Sequence, residues 1–353
     1  MKRIAVIPGD GIGVEVTQQA VKLLDRLRES GLAIDITSFD YGADRYLQTG
    51  VAITDDEMAT LERDFDAILL GAIGDPRVPD HAHARAILLG LRFRLDLYIN
   101  LRPVRLYDAR LSPLRDVKAG DIDIVVVREN TEGVYAGMGG HLRKGTAEEV
   151  AIEEDINTRR GVERIIRAAF DYARSRGRRR VTLTDKANAM PHTGGLWRRT
   201  FAEVGQEYPD VAQDAVYADA LALDLIRRPS GYDVIVAPNL FGDLLSDLTA
   251  ALVGGLGVAP SANLHPGRPG LFEPVHGSAP DIAGTDRANP LAAFLTTALM
   301  LEQLGWPDEA ARIEDAVRDA IVQGQTTADL GGSLGTEAVG DWICDRMARG
   351  AAV

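Results

Sequence analysis

The sequence predicts an α/β protein built from two domains, and three observations support this. The chain of 353 residues is longer than a single hydrophobic core comfortably accommodates. Its composition, 46% hydrophobic and 26% charged residues, is that of an ordinary globular protein. Short β-rich runs alternate with helical patterns, which is typical of a largely parallel or mixed sheet flanked by helices.

The predicted strands are apolar on both faces and bounded by turn residues, as expected of a buried sheet. They are RIAVI (3–7), FDAILLGA (65–72), IDIVVVREN (122–130), RVTLTDKA (180–187) and YDVIVAPN (232–239). The predicted helices have apolar residues at helical spacing. They lie within 14–30, 158–177, 194–205, 220–228, 237–257, 289–305, 307–324 and the C-terminal tail.

Charge and apolar patterning exclude several classes of function. The formal net charge of −13 disfavours nonspecific nucleic-acid binding, which depends on clustered Lys and Arg. No apolar run reaches the roughly 18 residues of a membrane helix, and the chain begins directly with a strand-like run. We therefore expect a cytoplasmic protein. The single cysteine, Cys344, excludes an internal disulfide and is expected to pack in a helix.

Glycine-rich loops occur at residues 8–13, 135–146 and 265–290. The first, PGDGIG, follows a strand, but its glycines do not have the G-x-G-x-x-G spacing of the dinucleotide-binding fingerprint. We interpret it as a tight strand-to-helix turn. A nicotinamide cofactor, if one binds, is expected elsewhere.

Two carboxylates, Asp243 and Asp247, interrupt the apolar helix NLFGDLLSDL. Four residues apart on a helix, they share one face. Their mutual repulsion and desolvation are relieved by a divalent cation, and oxygen-only ligands suit Mg²⁺ or Mn²⁺. A solvated helix face is the alternative, but little room for one is left by the apolar neighbours Phe241, Leu244, Leu245 and Leu248.

Several cationic residues and one tyrosine could complete such a site, and two of them, Arg128 and Lys186, lie at the ends of predicted strands. Guanidinium groups bind carboxylates in bidentate fashion, and strand ends open into clefts in α/β proteins. A lysine can act as a general base and a tyrosine can return a proton. The candidates are Arg92, Arg94, Arg102, Arg128, Lys186 and Tyr135.

Six motifs are spread along the chain: PGDGIGVEV, NLRPV, VVVRENTEG, DKAN, NLFGDLLSDL, and FEPVHGSAPDIAG followed by ANP. In this order they resemble the β-decarboxylating dehydrogenases, the isocitrate/isopropylmalate dehydrogenase family. The resemblance covers essentially the whole chain. A regulatory binding protein would not need Lys186 and Tyr135, and a metal-dependent lyase would not need HGSAPDIAG, so a dehydrogenase is favoured over both.

The resemblance implies a two-domain isopropylmalate-dehydrogenase-like fold, with a mixed central sheet flanked by helices and an active-site cleft between the domains. Residues 1–100 and 253–353 would form a large cofactor-binding domain. Residues 101–252 would form a small domain with the dimer interface. Because the family builds each active site from two chains, we expect a homodimer with shared sites.

The resemblance also implies the chemistry. A 2-hydroxy acid is oxidised at C2 by NAD and then loses CO₂, in the presence of Mg²⁺ or Mn²⁺ and possibly K⁺. Asp219, Asp243 and Asp247 would ligate the metal, with Asp219 and the general base Lys186 supplied by the neighbouring subunit. Tyr135 would help to protonate the enol carbon. Arg92, Arg102 and Arg128 would bind the malate carboxylates.

The third glycine-rich loop is, by the same resemblance, the cofactor site. Its expected contacts are Glu273, His276, Gly277, Ser278, Ala279, Asp281 and Asn289. Asp281 would accept hydrogen bonds from both ribose hydroxyls and repel a 2′-phosphate, which favours NAD over NADP.

The substrate is expected to meet the helix ARAILLGLRFR through Leu88 and Leu89. These side chains form an apolar wall, which disfavours isocitrate and homoisocitrate and is compatible with isopropylmalate or a small substrate. The stretches IGDPRVPDH, RENTEGVYAGMGG and GTAEEVAIEEDINTRRGVERIIR resemble the tartrate/D-malate branch. We therefore predict D-malate or a tartrate as substrate, with 3-isopropylmalate as the alternative. Three further residues, Arg85, His81 and His83, either serve an anionic 3-substituent or, as we favour, lie on the solvent face.

Overall fold

The computed structural model describes residues 1–349. The strands of these residues are β1 (Lys2–Gly9), β2 (Ile34–Ser38), β3 (Ala67–Ala72), β4 (Ile99–Arg105), β5 (Asp123–Glu129), β6 (Gly139–Leu142), β7 (Val150–Glu153), β8 (Arg180–Asp185), β9 (Ala212–Tyr217), β10 (Val234–Ala237), β11 (Pro260–Leu264) and β12 (Gly270–Pro274).

The helices of the same residues are α1 (Ile12–Glu29), α2 (Ala43–Thr49), α3 (Asp55–Asp64), α4 (Ala82–Ala84), α5 (Gly90–Arg94), α6 (Arg159–Ser175), α7 (Pro191–Gly205), α8 (Ala218–Arg227), α9 (Asn239–Ala251), α10 (Leu291–Gln303), α11 (Pro307–Val322) and α12 (Thr336–Arg349). A π-helical turn, Arg85–Leu89, joins α4 to α5. None of the helices in the described part of the chain is long and apolar enough to cross a membrane.

The described residues fall into two compact units. The first contains residues 1–97, 103–122 and those described from 250 onward. Its strands follow the order β2-β1-β3-β12-β11. All neighbours are parallel except β11 and β12, which pair antiparallel. Helix α1 packs on β1 and β3, and α10 packs on β11 and β12. Segment 82–94 is held on this unit because Ile87 and Leu91 are buried in its core.

The second unit contains residues 98–102 and 123–249. Its strand order is β4-β5-β10-β8-β9, and β5, β10, β8 and β9 are parallel. Helix α6 packs on β5 and β10, and α7 packs on α6 and β8. An exposed antiparallel hairpin of β6 and β7 stands apart from this sheet. Because Ala237 pairs with Arg128, the end of β5 lies beside the start of α9.

The predicted α/β class is confirmed, and each of the five predicted strands lies where a strand is found. The unit boundaries differ from the predicted domain boundaries, because residues 103–122 belong with the terminal segments. The predicted turn at PGDGIG is also found: β1 ends at Gly9 and α1 begins at Ile12. The cofactor role of one domain, the dimer interface of the other and the cleft between them stay predictions.

Candidate active site

Two arginines and two carboxylates of the second unit form a charged cluster. Arg128 is the penultimate residue of β5, and its side chain is 2% exposed. Asp243 and Asp247 lie one turn apart on α9, and Arg102 ends the part of β4 that belongs to this unit. The predicted placement of both aspartates on one helix face agrees with their shared contact to Arg102, since each carboxylate lies 3.4 Å from its Nη1.

Asp243 is held from two directions. Arg128 Nη1 donates to its Oδ1 at 2.5 Å, and the Tyr135 hydroxyl donates to its Oδ2 at 2.6 Å. The guanidinium of Arg128 also lies over the Tyr135 ring at 5.0 Å, and its Nε donates to the Asn239 carbonyl and side chain at 2.9 Å. Burial and the neighbouring Asp243 raise the pKa of Tyr135, so its hydroxyl keeps its proton at neutral pH.

Asp247 is the more exposed carboxylate, at 56% against 32% for Asp243. Partial desolvation raises the pKa of Asp247, Arg102 opposes that shift, and Asp243 adds to it by repulsion. Arg102 is oriented by a 2.8 Å hydrogen bond from its Nη1 to Ser246 Oγ.

A divalent cation fits this carboxylate pair. Both side chains offer hard oxygen ligands on one helix face, and a cation would remove the repulsion that contributes to the raised pKa of Asp247. The remaining coordination positions must come from substrate, water or another chain, because the described residues of one chain bring no third acidic, His or Cys side chain into such a group.

The third predicted ligand, Asp219, lies in the first turn of α8 and pairs with Lys186 at 2.7 Å. This hydrogen bond lowers the pKa of the Asp219 carboxyl. Lys186 follows β8 and lines a small pocket of about 30 Å³, which Asp155, Asn157 and Trp197 also line. Asn157 accepts a hydrogen bond from Trp197 Nε1 at 2.8 Å, whereas its buried Nδ2 finds no partner among the described residues.

Arg92 lies in the first unit, where it forms a buried ion pair. Its Nη2 donates to Glu273 Oε1 at 2.8 Å, and Asn263 Nδ2 donates to the same oxygen at 2.9 Å. The Nε of Arg92 is buried and has no partner among the described residues. Glu273, predicted as a cofactor contact, is thus mainly a partner of a predicted substrate residue.

Leu88 and Leu89 belong to the π-helical turn and are half-buried, with Leu88 packed against the core. Arg85 and His81 are exposed, as expected for a solvent face. The same expectation is wrong for His83, which is fully buried and lies 2.8 Å from the buried carboxylate of Asp10. Its Nε2 is engaged by Asp10 and the ring is fully buried, so His83 does not lie on the solvent face.

The predicted cofactor loop packs on the first glycine-rich loop. Ile12 N–H donates to the Ser278 carbonyl at 2.8 Å, and a Cβ at Gly11 would stand 2.0 Å from that oxygen. Gly277 and Asp281 are exposed, and Ala279 has a left-handed φ of 36°.

Two further residues predicted to contact the cofactor, His276 and Asn289, differ in whether their side chains are free to hydrogen-bond it. His276 Nδ1 lies 3.0 Å from the Gly277 carbonyl, and its buried Nε2 has no partner among the described residues. Burial lowers the pKa of His276, so its ring is neutral at physiological pH and fit to hydrogen-bond a cofactor. Asn289 instead bonds Asp329 and caps the start of α10 at Leu291.

Several side chains that shape these sites were not predicted. Asn239 and Ser246 orient Arg128 and Arg102, and Asp10 binds His83. The position of Asn239 at the junction of a strand and a helix is a usable sequence signal. Asp10 lies at a junction of the same kind, between β1 and α1, whereas Ser246 lies within α9 and carries no such signal.

Comparison with known proteins supports the resemblance seen in the motifs. The family profile described as isocitrate/isopropylmalate dehydrogenase matches residues 3–343. A 3-isopropylmalate dehydrogenase of Beutenbergia cavernae is 49% identical, covering 96% of this chain and 98% of the relative. One of Corynebacterium glutamicum is 51% identical, covering 97% and 98%. The crystal structure of an isocitrate dehydrogenase from Methylococcus capsulatus is 38% identical with a TM-score of 0.89, covering 98% and 99%.

Proposed function

Because the chain belongs to the isocitrate/isopropylmalate dehydrogenase family, we propose that it catalyses the NAD-dependent oxidative decarboxylation of 3-isopropylmalate. Family membership makes it a metal-requiring decarboxylating dehydrogenase. The observation that carries the substrate is the 49–51% identity, over nearly the whole length, to relatives that bear the name 3-isopropylmalate dehydrogenase.

The prediction of D-malate or a tartrate as substrate is wrong. It rested on sequence stretches that include the exposed turn at residues 76–77 and the exposed β6–β7 hairpin. Exposed loops vary among homologues for reasons unrelated to the substrate. The apolar pair Leu88 and Leu89, which was compatible with isopropylmalate, was the more informative signal.

Substrate binding is assigned to the arginines and the two leucines. Arg102 and Arg128 would bind carboxylate oxygens, since both guanidinium groups are buried and fixed by hydrogen bonds. Arg92 keeps a donor, Nε, for a further oxygen. Leu88 and Leu89 would accept the isopropyl group, for which each buried methyl or methylene contributes about 0.8 kcal/mol.

Proton transfer is assigned to Lys186 and Tyr135. Lys186 of the partner subunit would act as the neutral amine and take the proton of the C2 hydroxyl, and Asp219 beside it would stabilise the ammonium that then forms. Tyr135 stays protonated at neutral pH and can deliver a proton to the carbon that loses CO₂. In the isolated chain this hydrogen is donated to Asp243, so that bond must open before the proton is delivered.

Asp243 and Asp247, with Asp219 of the partner subunit, would hold Mg²⁺ or Mn²⁺, and loop 276–281 would hold NAD. When bound, these groups supply polarisation of the C2 oxygen and a hydride acceptor. Reaction rates measured with Mg²⁺ or Mn²⁺, each with and without K⁺, would show which divalent ion is preferred and whether K⁺ is required.

The test is a substrate panel followed by NADH absorbance, with Mg²⁺ or Mn²⁺ present. We expect 3-isopropylmalate to give a kcat/KM at least tenfold above those of D-malate, the tartrates and isocitrate, because burial of its isopropyl group contributes about 2 kcal/mol. A preference for D-malate or for isocitrate would overturn the proposal.

A further inference from the structure

Asp10 is a buried carboxylate that joins three separate parts of the first unit. Its Oδ1 accepts the Ala43 N–H at 2.7 Å, and its Oδ2 accepts the Gly74 N–H at 2.9 Å. The third partner is His83, whose Nε2 lies 2.8 Å from Oδ2. A buried carboxylate is stable only when such donors surround it. The Nε2 of His83 therefore carries the hydrogen in this bond.

Only one of the two ring nitrogens of His83 is hydrogen-bonded within the described residues. The ring is fully buried, and its Nδ1 has no hydrogen-bond partner among the described residues. The Tyr46 ring stacks on the imidazole at a centroid distance of 6.1 Å. The bond to Asp10 is therefore the hydrogen bond that orients the ring within its packed surroundings.

The bond matters because of where His83 lies. It is in the first turn of segment 82–94, which carries Leu88 and Arg92 further along. The chain enters this segment through two non-glycine residues with left-handed backbone, Asp80 (φ 54°) and His81 (φ 50°). No side chain caps the start of α4. Since such backbone costs about 1 kcal/mol or more per residue, the first turn needs an outside contact to fix it.

Asp10 also lies next to the predicted cofactor loop. The neighbouring Ile12 N–H donates to the Ser278 carbonyl, and Gly11 packs directly on the same oxygen. This contact is made by the backbone of loop 8–13 and does not involve the carboxylate. The carboxylate of Asp10 and the backbone beside it therefore hold different elements.

We propose that the Asp10–His83 pair positions segment 82–94, and through it the substrate-facing side chains of that segment. Ile87 and Leu91 keep the middle of the segment in the core, so loss of the pair displaces its first turn without unfolding it. The pair acts on the fit of the substrate and leaves cofactor binding unchanged. This inference rests on the proposed function, because it assigns Leu88, Leu89 and Arg92 to the substrate.

Two amide variants test the pair. In His83→Gln the amide nitrogen can reach the place of Nε2, whereas in His83→Asn it stands near Nδ1 and cannot reach Asp10. We expect His83→Asn to raise the KM for 3-isopropylmalate about tenfold, as the loss of one charge-assisted hydrogen bond predicts. Its kcat should stay within about twofold of wild type, and its NAD dissociation constant, measured by fluorescence, should not change. His83→Gln should restore most of the substrate affinity.

Ile313→Val in α11 is the matched stability control, since Ile313 is buried far along the chain from this segment. It should lower the melting temperature without changing the KM for 3-isopropylmalate or the NAD dissociation constant. The proposal is overturned if His83→Asn behaves like Ile313→Val, or if His83→Gln fails to restore substrate affinity. Equal losses of substrate and NAD affinity would also contradict it. If wild type prefers another acid of the panel, the proposed function fails on that result alone, and the variants are compared with the preferred acid.

Discussion

At the scale of single residues, Asp281 carries the predicted choice of cofactor. Its side chain is exposed at the end of loop 276–281, where a ribose of a bound dinucleotide would approach. Carboxylate oxygens accept hydrogen bonds from ribose hydroxyls and repel a phosphate ester at the same place. A single exposed charge can therefore decide between NAD and NADP with little effect on the fold.

Replacing Asp281 by Lys should shift the cofactor preference toward NADP. We expect the ratio of kcat/KM for NADP to that for NAD to rise about a hundredfold, because repulsion is exchanged for attraction, each worth about 1 kcal/mol or more. Steady-state kinetics with both cofactors at fixed substrate measure the ratio. Asp286→Lys, a change of the same charge five residues further along, is the control, and an equal shift in both variants would refute a specific role.

Cys344 shows how burial sets chemical reactivity. Its side chain is 1% exposed in α12, and burial raises the pKa of its thiol to about 11. Because the neutral thiol is favoured in the folded state, its contribution to stability is complete below the unfolded pKa of about 9. That contribution is lost as the pH rises from about 9 to about 11.

We predict that Cys344 of the native enzyme resists a thiol reagent at pH 8, with a rate at least a hundredfold below that of the unfolded chain. Ellman's reagent with and without guanidinium chloride gives both rates. Rapid labelling of the folded protein at pH 8 would mean that the helix opens easily and that the thiol is not protected.

At the scale of elements, loop 8–13 resembles a nucleotide loop and works as a packing surface. Its glycines let the backbone approach the cofactor loop, because Gly11 has a φ of 56° and no space for a Cβ beside Ser278. Loop 8–13 thus packs against Ser278 and supports the backbone of the predicted NAD site.

Gly11→Ala is expected to weaken NAD binding about tenfold by pushing the Ser278 carbonyl away, which corresponds to about 1.4 kcal/mol. Gly31→Ala is the matched control, since Gly31 also has a positive φ, 106°, but open space around it. Fluorescence titration with NAD compares the two. If both alanines weaken NAD binding equally, backbone strain and not the contact with Ser278 is the cause.

Some elements could not be predicted because they have no distinctive sequence pattern. Strands β11 and β12 lie in or beside a Gly- and Pro-rich stretch whose composition indicates a loop, and only their pairing makes them strands. The π-helical turn at 85–89 has no pattern of its own. By contrast, the Asp243–Asp247 spacing and Arg128 at a strand end were readable, because helix and strand periodicity determine which side chains share a face.

At the scale of the whole molecule, the proposed mechanism needs a dimer. Asp243 and Asp247 bind arginines of their own chain, while Lys186 and Asp219 pair with each other. If the second pair serves the partner's site, residues from two chains complete each centre. The mass in solution should then be twice the 38.1 kDa of one chain.

Mixing two inactive variants tests this sharing. Asp243→Asn and Lys186→Ala should each lose most turnover, yet refolding them together should restore about a quarter of wild-type activity, since half the dimers are mixed and one of their two sites is intact. Co-refolded Asp243→Asn and Asp247→Asn, which damage the same half-site, are the control. No restoration in the first mixture would show that each site lies within one chain.

The ion pairs of the predicted metal ligands affect how a metal ion would bind. In the isolated chain Asp243 already has Arg128 as its counter-ion, and Asp219 has Lys186. An incoming metal must therefore compete with resident cations, which are freed to bind the anionic acid that arrives with it. Substrate and metal should consequently strengthen each other's binding. The metal binds the carboxylates, and the substrate's carboxylates pair with the cationic side chains that the metal frees.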